Sequence, residues 1–167
     1  MTHRGGEEVY KIADFGISVI DDGLDASCKR GTVAYAAPEI MNAEVLMFSG
    51  RLSDLWSFGV MIYAMVFGYF PFDGSHPHFL QCIFKAVYYF PVEISNVSET
   101  VLELIDNLIQ INPGHRLRIS KILSHRWFQD EEFIARRQRL DKILGKTVAV
   151  QPTEKPVPAR RRSVRLM

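Results

Sequence analysis

Apolar residues recur at helical spacing in the second half of the chain. Val101, Leu104, Ile105 and Leu108 fall on one face of a helix, because residues three and four apart lie on the same side. Ser98 stands just before this stripe and is of the type that caps a helix N-terminus. The pattern predicts an amphipathic helix that begins after Ser98 and packs one face against a core.

Further helices are predicted between turn signals such as Gly68 and Asn112-Pro113-Gly114. A proline suits a first helical turn, and serine or aspartate suits a cap. The predicted helices run from Pro38 to about Ala43, from Ser53 or Asp54 to about Phe67, from His78 to Val87, from Ser120 to Trp127 and from Asp130 to Leu144.

Strand-like patterns are confined to the start of the chain. Val9, Ile12 and Phe15 have the apolar character of a short strand that enters a turn at Gly16. Residues 17–20 are predicted to form a second short strand. Residues 21–34 lack a helical period and are predicted to be a loop, so the fold is expected to be mainly α.

The stretch from Leu55 to Phe72 contains no charged residue. Roughly 18 apolar residues is the length at which a transmembrane helix becomes an alternative. Gly68 and Pro71 interrupt the stretch, Asp54 and Asp73 flank it closely, and no basic cluster anchors either end. A helix that is apolar all round is also what a buried central helix requires, and we prefer that interpretation.

Composition and charge are those of an ordinary globular domain. The 167 residues are 47% hydrophobic and 23% charged, with a formal net charge of +1. From Gln151 on, five basic residues face the single acid Glu154, so the end of the chain carries +4 and the rest −3. Prolines in this basic segment predict a disordered tail. The charge by itself indicates neither nucleic-acid nor membrane binding.

The two cysteines, Cys28 and Cys82, cannot form a disulfide framework. The first residues contain no apolar run of the kind found in a secretory signal. We therefore expect a reducing compartment, the cytoplasm or the nucleus.

Two short motifs stand in order within a loop-rich region. Asp14-Phe15-Gly16 is followed by Gly31-Thr32-Val33-Ala34-Tyr35 and then by Ala37-Pro38-Glu39. Alone, the first motif is weak and compatible with a strand followed by a turn. In this order and spacing, the motifs resemble the activation segment of a eukaryotic protein kinase.

Later motifs extend the resemblance from about Val9 to Phe128. They are Asp54-Leu55-Trp56-Ser57-Phe58-Gly59, Gly68-Tyr69-Phe70-Pro71-Phe72 and His125-Arg126-Trp127-Phe128. The resemblance implies the large, C-terminal lobe of a serine/threonine kinase, truncated before the Asp-Phe-Gly motif. It divides the chain into a partial kinase domain at 1–129, a C-terminal helix at 130–144 and a disordered basic tail at 145–167.

The resemblance also suggests a subgroup. The motifs are similar to those of the calcium/calmodulin-dependent kinases. Tyr35-Ala36-Ala37-Pro38-Glu39 and the short activation loop resemble the testis-specific serine/threonine kinases in particular.

The resemblance assigns roles in the activation segment. Asp14 would hold the magnesium that bridges the ATP phosphates, because a hard cation prefers carboxylate oxygen. Phe15 would pack below it and report the active or inactive state, and Gly16 would let the loop turn. Thr32 would meet the catalytic aspartate of the family. Thr32 together with Tyr35 is typical of the serine/threonine class.

Three residues are implied as structural anchors. Glu39 and Arg116 correspond to the buried ion pair of the family, which ties the end of the activation segment to the helical lobe. In the family, the residue at Asp54 is a buried acceptor for the backbone of the catalytic loop. Without that loop, the alternative for Asp54 is a simple helix cap.

Some positions depart from the family pattern. Cys28 occupies the place where many relatives have a phosphorylated Ser or Thr, and Ser27 is one position away. Ala64 stands where arginine-directed kinases often have Glu, so this position does not support a preference for basic substrates. His76 and His78 lie two apart near Asp73, but a loop cap is favoured over a metal site.

The family reaction is transfer of phosphate from ATP to Ser or Thr of a protein, with Mg²⁺ and ATP as cofactors. No glycine loop or His-Arg-Asp catalytic loop occurs in the sequence, so no catalytic base is assigned and the isolated chain is predicted to be inactive. Two hypotheses remain open: a fragment of an active kinase, or a non-catalytic interaction module. The expected partners are a protein substrate or a partner kinase, with no nucleic acid and no membrane.

Overall fold

A computed structural model describes residues 2–4, 7–19, 31–91 and 97–144. Two short strands, β1 (Thr2–Arg4) and β2 (Glu7–Val9), pair antiparallel with Thr2 opposite Val9. The α-helices in the described ranges are α1 (Pro38–Met41), α2 (Gly50–Phe67), α3 (Phe79–Lys85), α4 (Glu99–Leu108), α5 (Ile119–Ile122) and α6 (Glu131–Leu144). The predicted loop residues Ser27 and Cys28 and the predicted tail at 145–167 lie outside the described residues.

Helix α2 forms the centre of the hydrophobic core. Trp56, Val60 and Tyr63 are fully buried, as the sequence predicts for a central helix. None of the helices in the described part of the chain is long and apolar enough to cross a membrane. Gly68 ends α2 in the left-handed region at φ 80°, where its N–H donates to the carbonyl of Ala64.

The start of α2 differs from the prediction. The helix begins at Gly50 after Ser49, one turn earlier than a cap at Ser53 or Asp54 would place it. The hydroxyl of Ser53 donates at 2.7 Å to a carboxylate outside the helix, with the Ser49 carbonyl 3.2 Å away as the more distant acceptor, so it does not cap a helix start. Asp54 lies in the second turn, and its interpretation as a helix cap is wrong.

Helix α4 packs against α2 with the predicted stripe. Its four predicted apolar residues are buried, and the Ser98 hydroxyl accepts a hydrogen bond from the Thr100 N–H at 3.2 Å. The two helices approach closely at Gly59, where an added Cβ would lie 2.8 Å from Leu108 Cβ and 2.9 Å from Ile109 Cγ1. The absence of a side chain at Gly59 therefore allows α2 to pack closely against the end of α4.

The N-terminal segment differs most from its prediction. A turn does occur at Gly16, closed by a 3.1 Å hydrogen bond from the Ser18 N–H to the Phe15 carbonyl. Residues 17–19 form no strand, and the strands lie earlier, in β1 and β2. Ile12 and Phe15 are 87% and 67% exposed. A β-pattern alone does not make a strand where no neighbouring strand pairs with it.

The last helices are shorter than predicted or are interrupted. Helix α3 ends where Ala86 adopts φ 47°, just short of the predicted Val87. The helix predicted from Ser120 to Trp127 is divided into α5 and a 3-10 turn at Arg126–Phe128. The Nδ1 atom of His125 accepts a hydrogen bond from the Trp127 N–H, which caps the turn and replaces helical pairing.

Candidate functional site

A buried ion pair joins α1 to the chain after α4. Arg116 donates from Nη1 to Glu39 Oε1 at 2.5 Å and from Nη2 to Glu39 Oε2 at 2.7 Å. The two residues are 2% and 9% exposed. Two parallel N–H···O bonds fix both distance and orientation, so the pair holds α1 in one position on the lobe. The sequence prediction of a buried pair is confirmed.

Neighbouring groups complete the hydrogen bonding of this pair. Arg116 also donates to the carbonyls of Leu52 at 2.7 Å and Gln110 at 2.9 Å, and its guanidinium lies 5.3 Å from the centre of the Trp56 ring. The Ser53 hydroxyl donates to Glu39 Oε1 at 2.7 Å. Burial raises the pKa of Glu39, but the hydrogen bonds from Arg116 and Ser53 and the Arg116 charge outweigh it, so the pKa is lowered.

A second contact ties the loop before α1 to α2. Residues Val33–Tyr35 form a 3-10 turn, and the Tyr35 carbonyl accepts a hydrogen bond from the Ser57 hydroxyl at 2.9 Å. The Tyr35 ring meets the Phe70 ring edge to face, with centroids 5.1 Å apart. Edge-to-face contact is a favoured aromatic geometry, so the turn is held at its backbone and at its side chain.

Thr32 stands at the entrance to this turn. It has extended backbone dihedral angles, its side chain makes no capping hydrogen bond, and the residue is exposed. Its carbonyl accepts a hydrogen bond from the Tyr35 N–H at 3.0 Å. The structure therefore brings Thr32 and Tyr35 into one turn and leaves the Thr32 side chain open to the surface.

Asp14 has an unusual backbone conformation. Its φ of 63° lies in the left-handed region, which costs energy for a residue other than glycine. Its Oδ1 accepts a hydrogen bond from the Gly16 N–H at 3.4 Å, and the residue is exposed. Strain of this kind is concentrated at functional sites, and no sequence pattern around Asp14 predicts it.

Asp14 lacks the companions that a firm metal site would need. Among the residues that the structure describes, no group of three His, Cys, Asp or Glu side chains is placed to hold a metal ion. Mg²⁺ keeps several waters and is held by carboxylates together with substrate phosphates. One exposed carboxylate does not by itself fit a bound Mg²⁺ and ATP.

Asp54 does not meet the expectation of a buried acceptor. The residue is exposed on the second turn of α2, although partial burial of its carboxyl raises its pKa. Because it is exposed, it does not act as a buried anchor in this structure. The physical reason is that the backbone expected to cover it is not among the described residues.

Two residues were missed by sequence reasoning. Ser53 and Ser57 stand one helical turn apart on α2, and their hydroxyls reach Glu39 and Tyr35. Their spacing of four places both on one face of the helix, and this was the available signal. It could not be used without knowing that this face meets Tyr35 and Glu39.

Comparisons with known proteins agree with this geometry. The sequence profile described as "Protein kinase domain" matches residues 2–128. A probable serine/threonine-protein kinase of Dictyostelium discoideum is 34% identical over 122 residues, which cover 72% of this chain and 18% of that protein. The carbon catabolite-derepressing protein kinase of Secale cereale is 37% identical over 124 residues, covering 72% of this chain and 23% of that protein.

The fold also matches a solved kinase. The matched structure is the crystal structure of the Rad53 kinase domain and SCD2 in complex with AMPPNP. The two sequences are 32% identical, and the superposed structures have a TM-score of 0.50. The match covers 59% of this chain and 38% of that chain. This chain spans about a fifth of the length of the curated relatives above.

Proposed function

The chain belongs to the protein kinase family, and we propose that it is the activation segment and large lobe of a serine/threonine kinase. The family reaction transfers phosphate from ATP to Ser or Thr of a protein substrate, with Mg²⁺. The observation that carries the proposal is the buried, bidentate Glu39–Arg116 pair, since it fixes the segment that would receive a substrate.

We propose further that these 167 residues by themselves do not catalyse the transfer. The sequence contains no His-Arg-Asp motif, so no aspartate is assigned to accept the proton of the substrate hydroxyl. General-base help is worth roughly 10²–10⁴ in rate. Positioning of both reactants accounts for much of the remainder and depends on groups that this chain does not supply.

The surface of the lobe supports the view that further polypeptide covers it. On one side of the central helix α2, Met61 is partly exposed and Met65 is 77% exposed. Asp54 lies on the same helix two turns before Met61, and partial burial raises the pKa of its carboxyl. Ile12 and Phe15 add a second exposed apolar segment. Large apolar side chains exposed together mark interaction surfaces.

The second candidate function is a non-catalytic module that binds a protein partner, such as a full-length kinase. The same exposed residues on α2 and near Phe15 favour it, because a partner protein could cover them equally well. The reading frame upstream of the gene segment separates the two. An in-frame glycine loop and His-Arg-Asp loop support the kinase proposal, whereas a stop codon and independent expression support the module.

The subgroup is also a proposal. Similarity to calcium/calmodulin-dependent kinases, and to testis-specific serine/threonine kinases within them, rests on Tyr35-Ala36-Ala37-Pro38-Glu39 and on the short activation loop. Ala64 leaves open which residues flank the phosphorylated Ser or Thr in a substrate.

The direct test of inactivity is a phosphate-transfer assay on the purified chain. Radiolabelled ATP, Mg²⁺ and a generic protein substrate are incubated with the chain and with an Asp14→Asn variant. We expect the same background incorporation from both. Incorporation by the chain that Asp14→Asn abolishes would overturn the proposal that catalysis needs groups from outside these residues.

A further inference from the structure

Two serines on α2 face the activation segment at two points. Ser53 donates to Glu39 at 2.7 Å, and Ser57 donates to the Tyr35 carbonyl at 2.9 Å. The serines are four residues apart, as are their two partners. One face of the most buried helix therefore holds both the 3-10 turn and the start of α1.

The hydrogen bond of Ser57 is directed outward to the turn. Its hydroxyl also lies 3.3 Å from the Ser53 carbonyl within the helix. A hydroxyl has a single proton, so it donates to one acceptor at a time, and the Tyr35 carbonyl is the nearer. The Ser57 hydroxyl therefore bonds to a carbonyl 22 residues away in sequence instead of to a carbonyl in its own helix.

The two contacts of Tyr35 hold different parts of the residue. Phe70 meets only the ring of Tyr35, which is itself partly exposed, whereas Ser57 meets its backbone. A backbone contact fixes the path of the chain through Thr32 and Val33, while a ring contact leaves that path free. The backbone tether is therefore the one that orients the exposed side chain of Thr32.

We propose that Ser57 is a positioning residue for the substrate-binding turn, acting through the Tyr35 carbonyl. This inference rests on the proposed kinase function, because it assigns Thr32 to a surface that receives substrate. Ser53 secures the far end of the segment through Glu39, and Ser57 sets the turn itself. Loss of the Ser57 hydroxyl leaves the core intact and lets the turn open.

Hydrogen–deuterium exchange on the whole chain tests this without any catalytic activity. The Tyr35 and Ala36 amides donate to the carbonyls of Thr32 and Val33 at 3.0 Å, so their exchange reports opening of the turn. We expect Ser57→Ala to speed exchange of both about fivefold, the change for loss of one ordinary hydrogen bond. The buried α4 amides, including Ile105, should exchange at the wild-type rate.

Conservative and control variants complete the experiment. Ser57→Thr keeps a hydroxyl and should restore protection, whereas Ser75→Ala removes an exposed serine in another loop and should change nothing at the turn. Unchanged exchange at Tyr35 and Ala36 in Ser57→Ala would overturn the proposal. An equal increase in the turn and in α4 would also overturn it, since Ser57 would then act on global stability. A negative result in this exchange experiment would count against the role of Ser57 and not against the proposed kinase function, which the phosphate-transfer assays test separately.

Discussion

Replacing Arg116 with methionine should remove a large share of the stability of this lobe. The change leaves the Glu39 carboxylate buried without its cation and removes the donor to the carbonyls of Leu52 and Gln110. Breaking a buried ion pair from one side costs about 3–5 kcal/mol. A domain of this size is stable by only about 5–15 kcal/mol, so the loss should be visible at once.

The assay is urea unfolding followed by far-ultraviolet circular dichroism, with a thermal melt beside it. A loss of that size should lower the Tm by about 10 °C or more. Arg116→Lys should fall between methionine and wild type, because an ammonium keeps the charge and cannot form the bidentate fork. The matched control is Arg126→Met, which removes an ion pair with Glu103 on the surface and should cost less than about 1 kcal/mol.

The pH dependence follows from the lowered pKa of Glu39. The ionised carboxylate stabilises the fold above its ordinary pKa of 4.5, and this contribution is lost as the pH falls through the lower pKa of the folded state. The destabilisation caused by Glu39→Gln should therefore be full near neutral pH and shrink in acid.

If Arg116→Met costs no more stability than Arg126→Met, the buried pair is not the anchor that we describe.

Two further changes test other parts of the fold. Gly59→Ala places a Cβ within 2.8–2.9 Å of Leu108 and Ile109 and should destabilise the chain by about 1–3 kcal/mol in urea unfolding, whereas Gly74→Ala, which meets no atom within 4 Å, should be close to neutral. Burial lowers the pKa of His125 below its ordinary value of 6.5, so the contribution of the neutral imidazole to stability should be full above pH 6.5 and decline below it. His125→Asn keeps an acceptor for the Trp127 N–H but does not titrate in this range. The variant should therefore flatten the slope of Tm against pH. An unchanged slope would show that His125 does not titrate with folding.

The central helix and the Glu39–Arg116 pair were accessible to sequence reasoning for two different reasons. An apolar stretch without charge predicts burial whatever surrounds it, and Glu39 and Arg116 were found through a resemblance, since no local rule joins residues 77 apart. The start of α2 was missed because Ser53 uses its hydroxyl toward Glu39, which only the tertiary structure reveals.

The N-terminal segment and Asp54 could not be predicted for a different reason. A β-pattern at residues 17–19 needs a paired strand, and a buried acceptor at Asp54 needs a covering backbone. Both requirements are tertiary contacts, which the local sequence does not predict. The strained φ of Asp14 has the same character, because its sequence context is compatible with several turns.

The most direct measurement tests whether this chain catalyses phosphate transfer once a glycine loop and a catalytic loop are supplied to it. A polypeptide that carries the glycine loop and the His-Arg-Asp catalytic loop of a serine/threonine kinase is fused ahead of Asp14, and phosphate transfer from radiolabelled ATP to a serine peptide is measured. A cooperative thermal melt establishes that the fusion is folded. The account predicts transfer by the fusion, background from the chain alone, and loss of the signal in the fusion with Asp14→Asn. A folded fusion that transfers no more phosphate than its Asp14→Asn variant would contradict the proposal that this chain is the large lobe of a working kinase.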